Sequence, residues 1–229
     1  MNQVAALDLV DDYYVSATRK EQRDYLRGHI YWCPCCFLAE RLQILCPRGS
    51  DPYHKLPTLF ETRAIDPLKF NDPPHTPLTN PTLKADEELV VFRAKRRPVI
   101  ALSSKSEPWK YRGGKTRTRS VLVAPVYSFS ETHSPEWRTG VRALAYRELF
   151  YLPENSMLKL NESFVRFDLT HVVPGRWLKP KLACLHPDAL ELLTDWFSFY
   201  VTGEMQEYLE EHRQILLEAV DKAQAGIDP

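Results

Sequence analysis

Arg166 and Asp168 stand two residues apart in SFVRFDL (163–169), a permanent cation next to a carboxylate. If 164–169 is a strand, side-chain alternation projects both from one face and sends Val165, Phe167 and Leu169 into the core. A carboxylate so placed can accept a proton, and a guanidinium beside it can stabilise charge developing on phosphorus. The same spacing also describes a solvated ion pair of about 0–1 kcal/mol. A second group of residues bears on the choice. Residues 93–119 hold ten of the chain's 30 basic residues, among them Arg96, Arg97, Lys105, Lys110, Arg112, Lys115, Arg117 and Arg119, against one acid, Glu107. Trp109 and Tyr111 interleave with these charges, the combination expected of a single-strand-binding surface, where stacking contributes about 1–3 kcal/mol per base. A solvated hairpin tip is the alternative reading of that segment.

These residues must be carried by strands. Two short apolar runs, 98–102 and 121–126, bracket the basic segment and are rich in Val, Ile and Ala, as buried strands are. Further strands are expected over 30–33, near 59–62, and at 88–92, 142–151, 157–160, 164–169 and 181–184. Eight of the 18 prolines fall within 47–81, which therefore reads as a long irregular excursion. Apolar spacing at the N-terminus predicts a helix within 4–24. His186-Pro187-Asp188 opens a helix with Ala189, Leu193, Trp196 and Tyr200 on one face, and Gly203 separates it from a second helix over 204–225.

The 229 residues suffice for a sizeable core, and the formal net charge is zero, so the local clustering of cations is the informative electrostatic feature. The N-terminus carries acids where a signal peptide carries bases, and no apolar run approaches the roughly 18 residues of a membrane span. The expectation is a cytoplasmic chain with no membrane partner. Five cysteines, four of them in the region 33–46, offer one C-x2-C pair (Cys33 and Cys36) without the second pair of a usual zinc site, and read as buried or reactive thiols, with no metal expected.

Three fragments in order resemble the MazF/PemK/Kid family of bacterial toxins. RGHIYW (27–32) is similar to the family's first strand. RPVIALS (97–103) with VLVAPVYS (121–128) is similar to its next pair of strands. SFVRFDLTHVVP (163–174), LKPKL (178–182) and CLHPDALELL (184–193) are similar to its closing segment and last helix. The resemblance implies a mainly β, α+β architecture: an SH3-like small β-barrel with a closing helix over 26–202, interrupted by an insertion at 34–88. An N-terminal helical extension (1–25) and an added C-terminal helix (203–229) complete the plan. It implies a homodimeric toxin, paired with a small antitoxin protein, that cleaves single-stranded RNA without metal or cofactor. Under the resemblance Arg166 and Asp168 match the phosphate stabiliser and general base of the Kid branch, and Arg97 matches a phosphate-stabilising arginine of the MazF branch. Tyr127 stands where the family has threonine, and Ser128 matches the serine after it. The basic segment, with Lys105, Trp109, Lys110, Tyr111, Arg112, Lys115, Arg117 and Arg119, corresponds to the family's mobile loop.

Two departures matter. Tyr127 is far larger than threonine, though its hydroxyl can still donate a hydrogen bond. The Kid-branch histidine comes from a loop that the insertion replaces; His54 and His75 lie there outside any matching motif, and His171 follows Asp168 by three residues. No general acid is assigned. The leading expectation is a metal-independent endoribonuclease acting by 2′-hydroxyl transesterification. The alternatives are a nucleic-acid-binding or protein-interaction module that has lost catalysis, and a gyrase poison of the CcdB type on the same fold.

Overall fold

The computed structural model describes residues 10, 12–36, 43–50, 57–64, 90–105 and 119–224. The chain divides into two compact units, Met1–Cys33 with Arg96–Pro229, and Pro34–Lys95.

The larger unit is built on an antiparallel sheet. Its strands are β1 (Tyr14–Ser16), β2 (His29–Cys36), β6 (Ala94–Ala101), β7 (Ser120–Ser128), β8 (Leu149–Leu152), β9 (Ser163–Arg166), β10 (His171–Pro174) and β11 (Lys179–Leu185). Their order is β1-β11-β2-β6-β7-β9-β8, with β10 also on β7. The ladder is an open path and not the closed barrel that the sequence predicted. It is nevertheless curled, since the Tyr14 hydroxyl of edge strand β1 donates to the Pro153 carbonyl just past the other edge, β8, at 2.8 Å. The architecture is thus mixed α+β.

The fully buried strand residues Ile30, Ile100, Ala124, Phe150 and Val165 form the floor of the core. Helix α3 (Pro187–Thr202) covers it with Ala189, Leu192, Leu193 and Trp196, whose indole N–H donates to the Leu149 carbonyl at 2.8 Å. His186 caps the helix start and Gly203, at φ 82°, ends it in the left-handed conformation that glycine adopts without Cβ strain. Helix α4 (Glu207–Gln224) turns back to bury Leu209, Leu216 and Val220. Its Arg213 donates to the Leu144 and Ala145 carbonyls at 3.0 and 3.1 Å, in the connection just past the end of helix α2 (Pro135–Arg142).

Several expected elements differ. Residues 142–151 are not one strand: Ser134 caps α2, with Pro135 at its first position, and β8 begins only at Leu149. Over 157–160 there is a turn closed by an isolated Asn155–Leu160 bridge. Within the N-terminal stretch read as helix, the described residues form β1 and a single-turn helix α1 (Arg19–Gln22), held by a capping box between Thr18 and Glu21. In the smaller unit, β3 (Gln43–Ser50) and β4 (Pro57–Ala64) pair antiparallel, and β5 (Val90–Val91) adds to β3, so part of the proline-rich stretch is sheet and not irregular. The ladder accommodates Pro47 through a register shift beside it.

Candidate active site

The site is assembled on three neighbouring strands. Cross-strand partners share a face, and the register Val99 opposite Pro125 carries on to set Arg97 of β6 across from Tyr127 of β7. On the other side Tyr127 is opposite Phe164 of β9, and the two rings stack at 6.0 Å with 20° between their planes. The Arg97 guanidinium carbon lies 4.0 Å from the Tyr127 ring centroid, well inside cation–π range. Arg166, two residues beyond Phe164 and therefore on the same face, places its guanidinium 5.6 Å from the same ring. One tyrosine thus gathers two arginines.

Asp168 arrives by a different route from the one expected. β9 ends at Arg166, and Phe167–Leu169 form a 3-10 turn. Between Val165 opposite Val126 and His171 opposite Val123, five residues on one strand, 166 to 170, span what two, Ala124 and Pro125, span on β7. The result is a three-residue bulge facing a proline that has no N–H to offer a ladder. Phe167 anchors the bulge, 2% exposed, against Phe197 and Tyr200 at 5.0 and 5.8 Å, while its N–H donates to the Glu148 carbonyl at 2.9 Å. That turn, and not strand alternation, swings Asp168 back onto Arg166. Nε of Arg166 donates to Oδ1 at 3.0 Å and Nη2 donates to Oδ2, a two-pronged fork with about a third of each side chain exposed. The hydrogen bond that Arg166 donates to Asp168 raises the Arg166 pKa above its usual value, against an opposing effect of burial.

Leu169, expected in the core, is only half-buried. His171, at the far end of the bulge, has Nδ1 2.9 Å from the Leu169 carbonyl oxygen. His133 lies one ring beyond the site, 5.8 Å edge-on to Phe164 and 4.6 Å from Trp137. The sequence carried no signal for His133, and it signalled Phe164 only as an apolar residue on the arginine's face.

The remaining predicted residues separate. Ser128 projects from the opposite face to Tyr127, its hydroxyl 3.3 Å from that of Ser163, into a cavity of about 170 Å³ lined also by Trp32, Asn161 and Lys181. Arg96 likewise alternates away from Arg97 and sits over Trp32 at 5.1 Å. Lys105 and Arg119 stand where the connection between β6 and β7 leaves and re-enters the sheet. Tyr127 is seven residues along β7 from Ser120, or about 24 Å. Lys105 pairs with Asp24 at 2.9 Å. Trp109, Lys110, Tyr111, Arg112, Lys115 and Arg117 lie outside the described residues, as do His54 and His75. Among the described residues no group of three or more His, Cys, Asp or Glu side chains could hold a metal ion. Cys33 and Cys35 are buried thiols and Cys36 is exposed. No described helix is long and apolar enough to cross a membrane.

No family model, curated protein or solved structure matches this chain.

Proposed function

We propose that the chain is a MazF/PemK-like endoribonuclease that cleaves single-stranded RNA by attack of a 2′-hydroxyl on the adjacent phosphate. The observation that carries this reading is the gathering of Arg97 and Arg166 on the Tyr127 ring, with Asp168 held on Arg166, from segments about 70 residues apart in sequence. Asp168 takes the 2′-hydroxyl proton, and Arg97 and Arg166 stabilise the charge that builds on the phosphate oxygens. The Tyr127 hydroxyl adds a hydrogen-bond donor, and its ring offers a stacking surface once an arginine moves onto the phosphate. As the O2′–P bond forms the P–O5′ bond breaks, the leaving oxygen takes a proton from water, and the products are a 2′,3′-cyclic phosphate and a 5′-hydroxyl, with no metal required. A second copy of the chain and a small antitoxin are the partners that the resemblance brings with it.

A labelled single-stranded RNA incubated in EDTA tests the proposal: wild type cleaves, and Asp168→Asn and Arg97→Ala each lose at least tenfold in rate. Absence of cleavage by wild type, or equal rates in all three proteins, rejects it. The Arg166–Asp168 fork favours one competing reading, since a carboxylate already engaged on both oxygens is a poor base. In that reading the chain is a nucleic-acid-binding module, and wild type binds RNA in a salt-dependent way without turnover.

A further inference from the structure

A second basic surface lies at the other end of β7 from Tyr127. Helix α1 sits over a bulge in β11, where the pairing with β2 shifts between Pro180 and Ala183. Between them opens a cavity of about 370 Å³ lined by Arg19, Gln22, Arg23, Tyr25, Leu178, Pro180 and Leu182. Among the described residues Arg19 and Arg23 line it and no Asp or Glu does. The nearby acids are engaged elsewhere: Glu21 accepts from the Thr18 N–H at 2.7 Å, and Asp24 holds Lys105.

This notch is built and not incidental. Gln22 is fully buried beneath it, donating to the Ile30 and Ala183 carbonyls at 3.0 and 2.9 Å and accepting from the Leu182 N–H at 2.8 Å. Two of its lining residues hold the left-handed conformation that side chains rarely adopt, Tyr25 at φ 51° and Leu182 at φ 60°. Strain of this kind persists where the surroundings over-determine it, and it concentrates at ligand clamps.

An independent observation ties the notch to the basic segment between β6 and β7. The Lys105 N–H donates to the Tyr25 carbonyl at 3.0 Å, and the Gly175 N–H donates to the Arg119 carbonyl at 2.9 Å. The Tyr25 ring packs flat against Gly175, where an added Cβ would meet it at 3.0 Å. Both ends of the basic segment are therefore fastened to the residues that line or adjoin the notch. Arg176 and Trp177, exposed beside Gly175, extend the same surface with a cation and an indole.

We propose that the notch formed by Arg19, Arg23 and Tyr25 is a phosphate-binding subsite for single-stranded RNA, engaging the strand at a distance from Tyr127. The idea rests on the ribonuclease reading for its ligand, but its test does not need turnover. A fluorescein-labelled 12-nucleotide RNA is titrated by anisotropy in EDTA at 50 to 300 mM salt, with wild type and the double variant Arg19→Gln/Arg23→Gln. Each phosphate contact in a single strand contributes about 0.7 to the slope of log K against log salt, so the double variant loses about 1.4 from that slope. Its affinity at 50 mM salt falls at least fivefold, and Arg19→Lys/Arg23→Lys recovers most of it. Circular dichroism melts of all three proteins superimpose. An unchanged slope and affinity in the Gln variant overturns the subsite. So does a notch that takes an acidic peptide and leaves RNA binding untouched. If the variants behave as expected while wild type never cleaves, the subsite stands and the ribonuclease reading falls. If wild type cleaves and the Gln variant binds normally, the reverse holds.

Discussion

Gln22 is the side chain on which the N-terminal segment hangs. It is 0% exposed, and its amide makes three hydrogen bonds to backbone groups of β2 and β11, from 2.8 to 3.0 Å. Replacing it by alanine removes all three and leaves the Leu182 N–H and two carbonyls to find other partners in a site closed to water. At about 1 kcal/mol net for each bond, the expected loss is about 3 kcal/mol. That is a large share of a typical total stability of about 5–15 kcal/mol. With an m-value of about 2 kcal/mol/M the urea midpoint falls by about 1.5 M. Equilibrium unfolding followed by tryptophan fluorescence and by circular dichroism measures it. Gln22→Glu is expected to be at least as damaging, because a buried carboxylate cannot donate to the two carbonyls. A midpoint within 0.3 M of wild type for the alanine variant would show that the amide network does not anchor α1, and would remove the physical basis for a built notch above it.

Two further outcomes are expected. Burial opposes ionisation of Glu162, yet hydrogen bonds from Arg142 at 2.7 and 2.9 Å and from Tyr151 at 2.8 Å bring its pKa below the usual value. A carboxylate with a depressed folded pKa contributes stability above its unfolded value of about 4.3, and that contribution is lost as pH falls through the folded value. Glu162→Gln is thus expected to be less stable than wild type by about 1–2 kcal/mol at pH 7, a figure discounted for partial exposure, and to converge with it by pH 2. A gap that stays constant across melts between these pH values contradicts the linkage. Gly203→Ala tests backbone strain alone, because the added Cβ lies 3.4 Å from the flexible tip of Arg147 and φ is 82°. It should cost about 1 kcal/mol, read as a lower melting temperature.

The sequence was most legible where one physical signal dominated. The apolar runs at 98–102 and 121–126 fall on β6, which ends at Ala101, and on β7, and His186-Pro187-Asp188 and Gly203 bound α3. It misled where two signals competed. Apolar residues at 149–152 suggested a longer strand reaching back to 142, but Ser134 and Pro135 start a helix that ends only there. Proline content hid β3, where a register shift beside Pro47 admits a residue that strands otherwise reject, whereas the strand expected near 59–62 lies within β4. At the candidate site Arg97, Tyr127, Arg166 and Asp168 meet, but through a geometry that strand alternation did not predict. Alternation predicted Asp168 beside Arg166 along a strand; a turn brings it there, and nothing local in the sequence marks a bulge whose cause includes Pro125, some 40 residues earlier. Ser128, named through the resemblance, and Arg96, named with the basic cluster, are the sequence neighbours of Tyr127 and Arg97, which in a strand means opposite faces.

The bulge at 166–170 also bears on how such a site could change over time. The ladder on its N-terminal flank is fixed by β7 residues 126–128, and that on its C-terminal flank by residues 120–123. Neither pairing depends on which side chains occupy the loop between them, provided that Phe167 keeps its seat against α3. The carboxylate is therefore carried on an exchangeable link, whereas Arg97 and Tyr127 belong to the fixed weave of the sheet. On the ribonuclease reading proposed above, a lineage could lose or replace the base while keeping the cation-and-ring platform intact, and a change from cutting a strand to merely holding it would require as little as one substitution in that link.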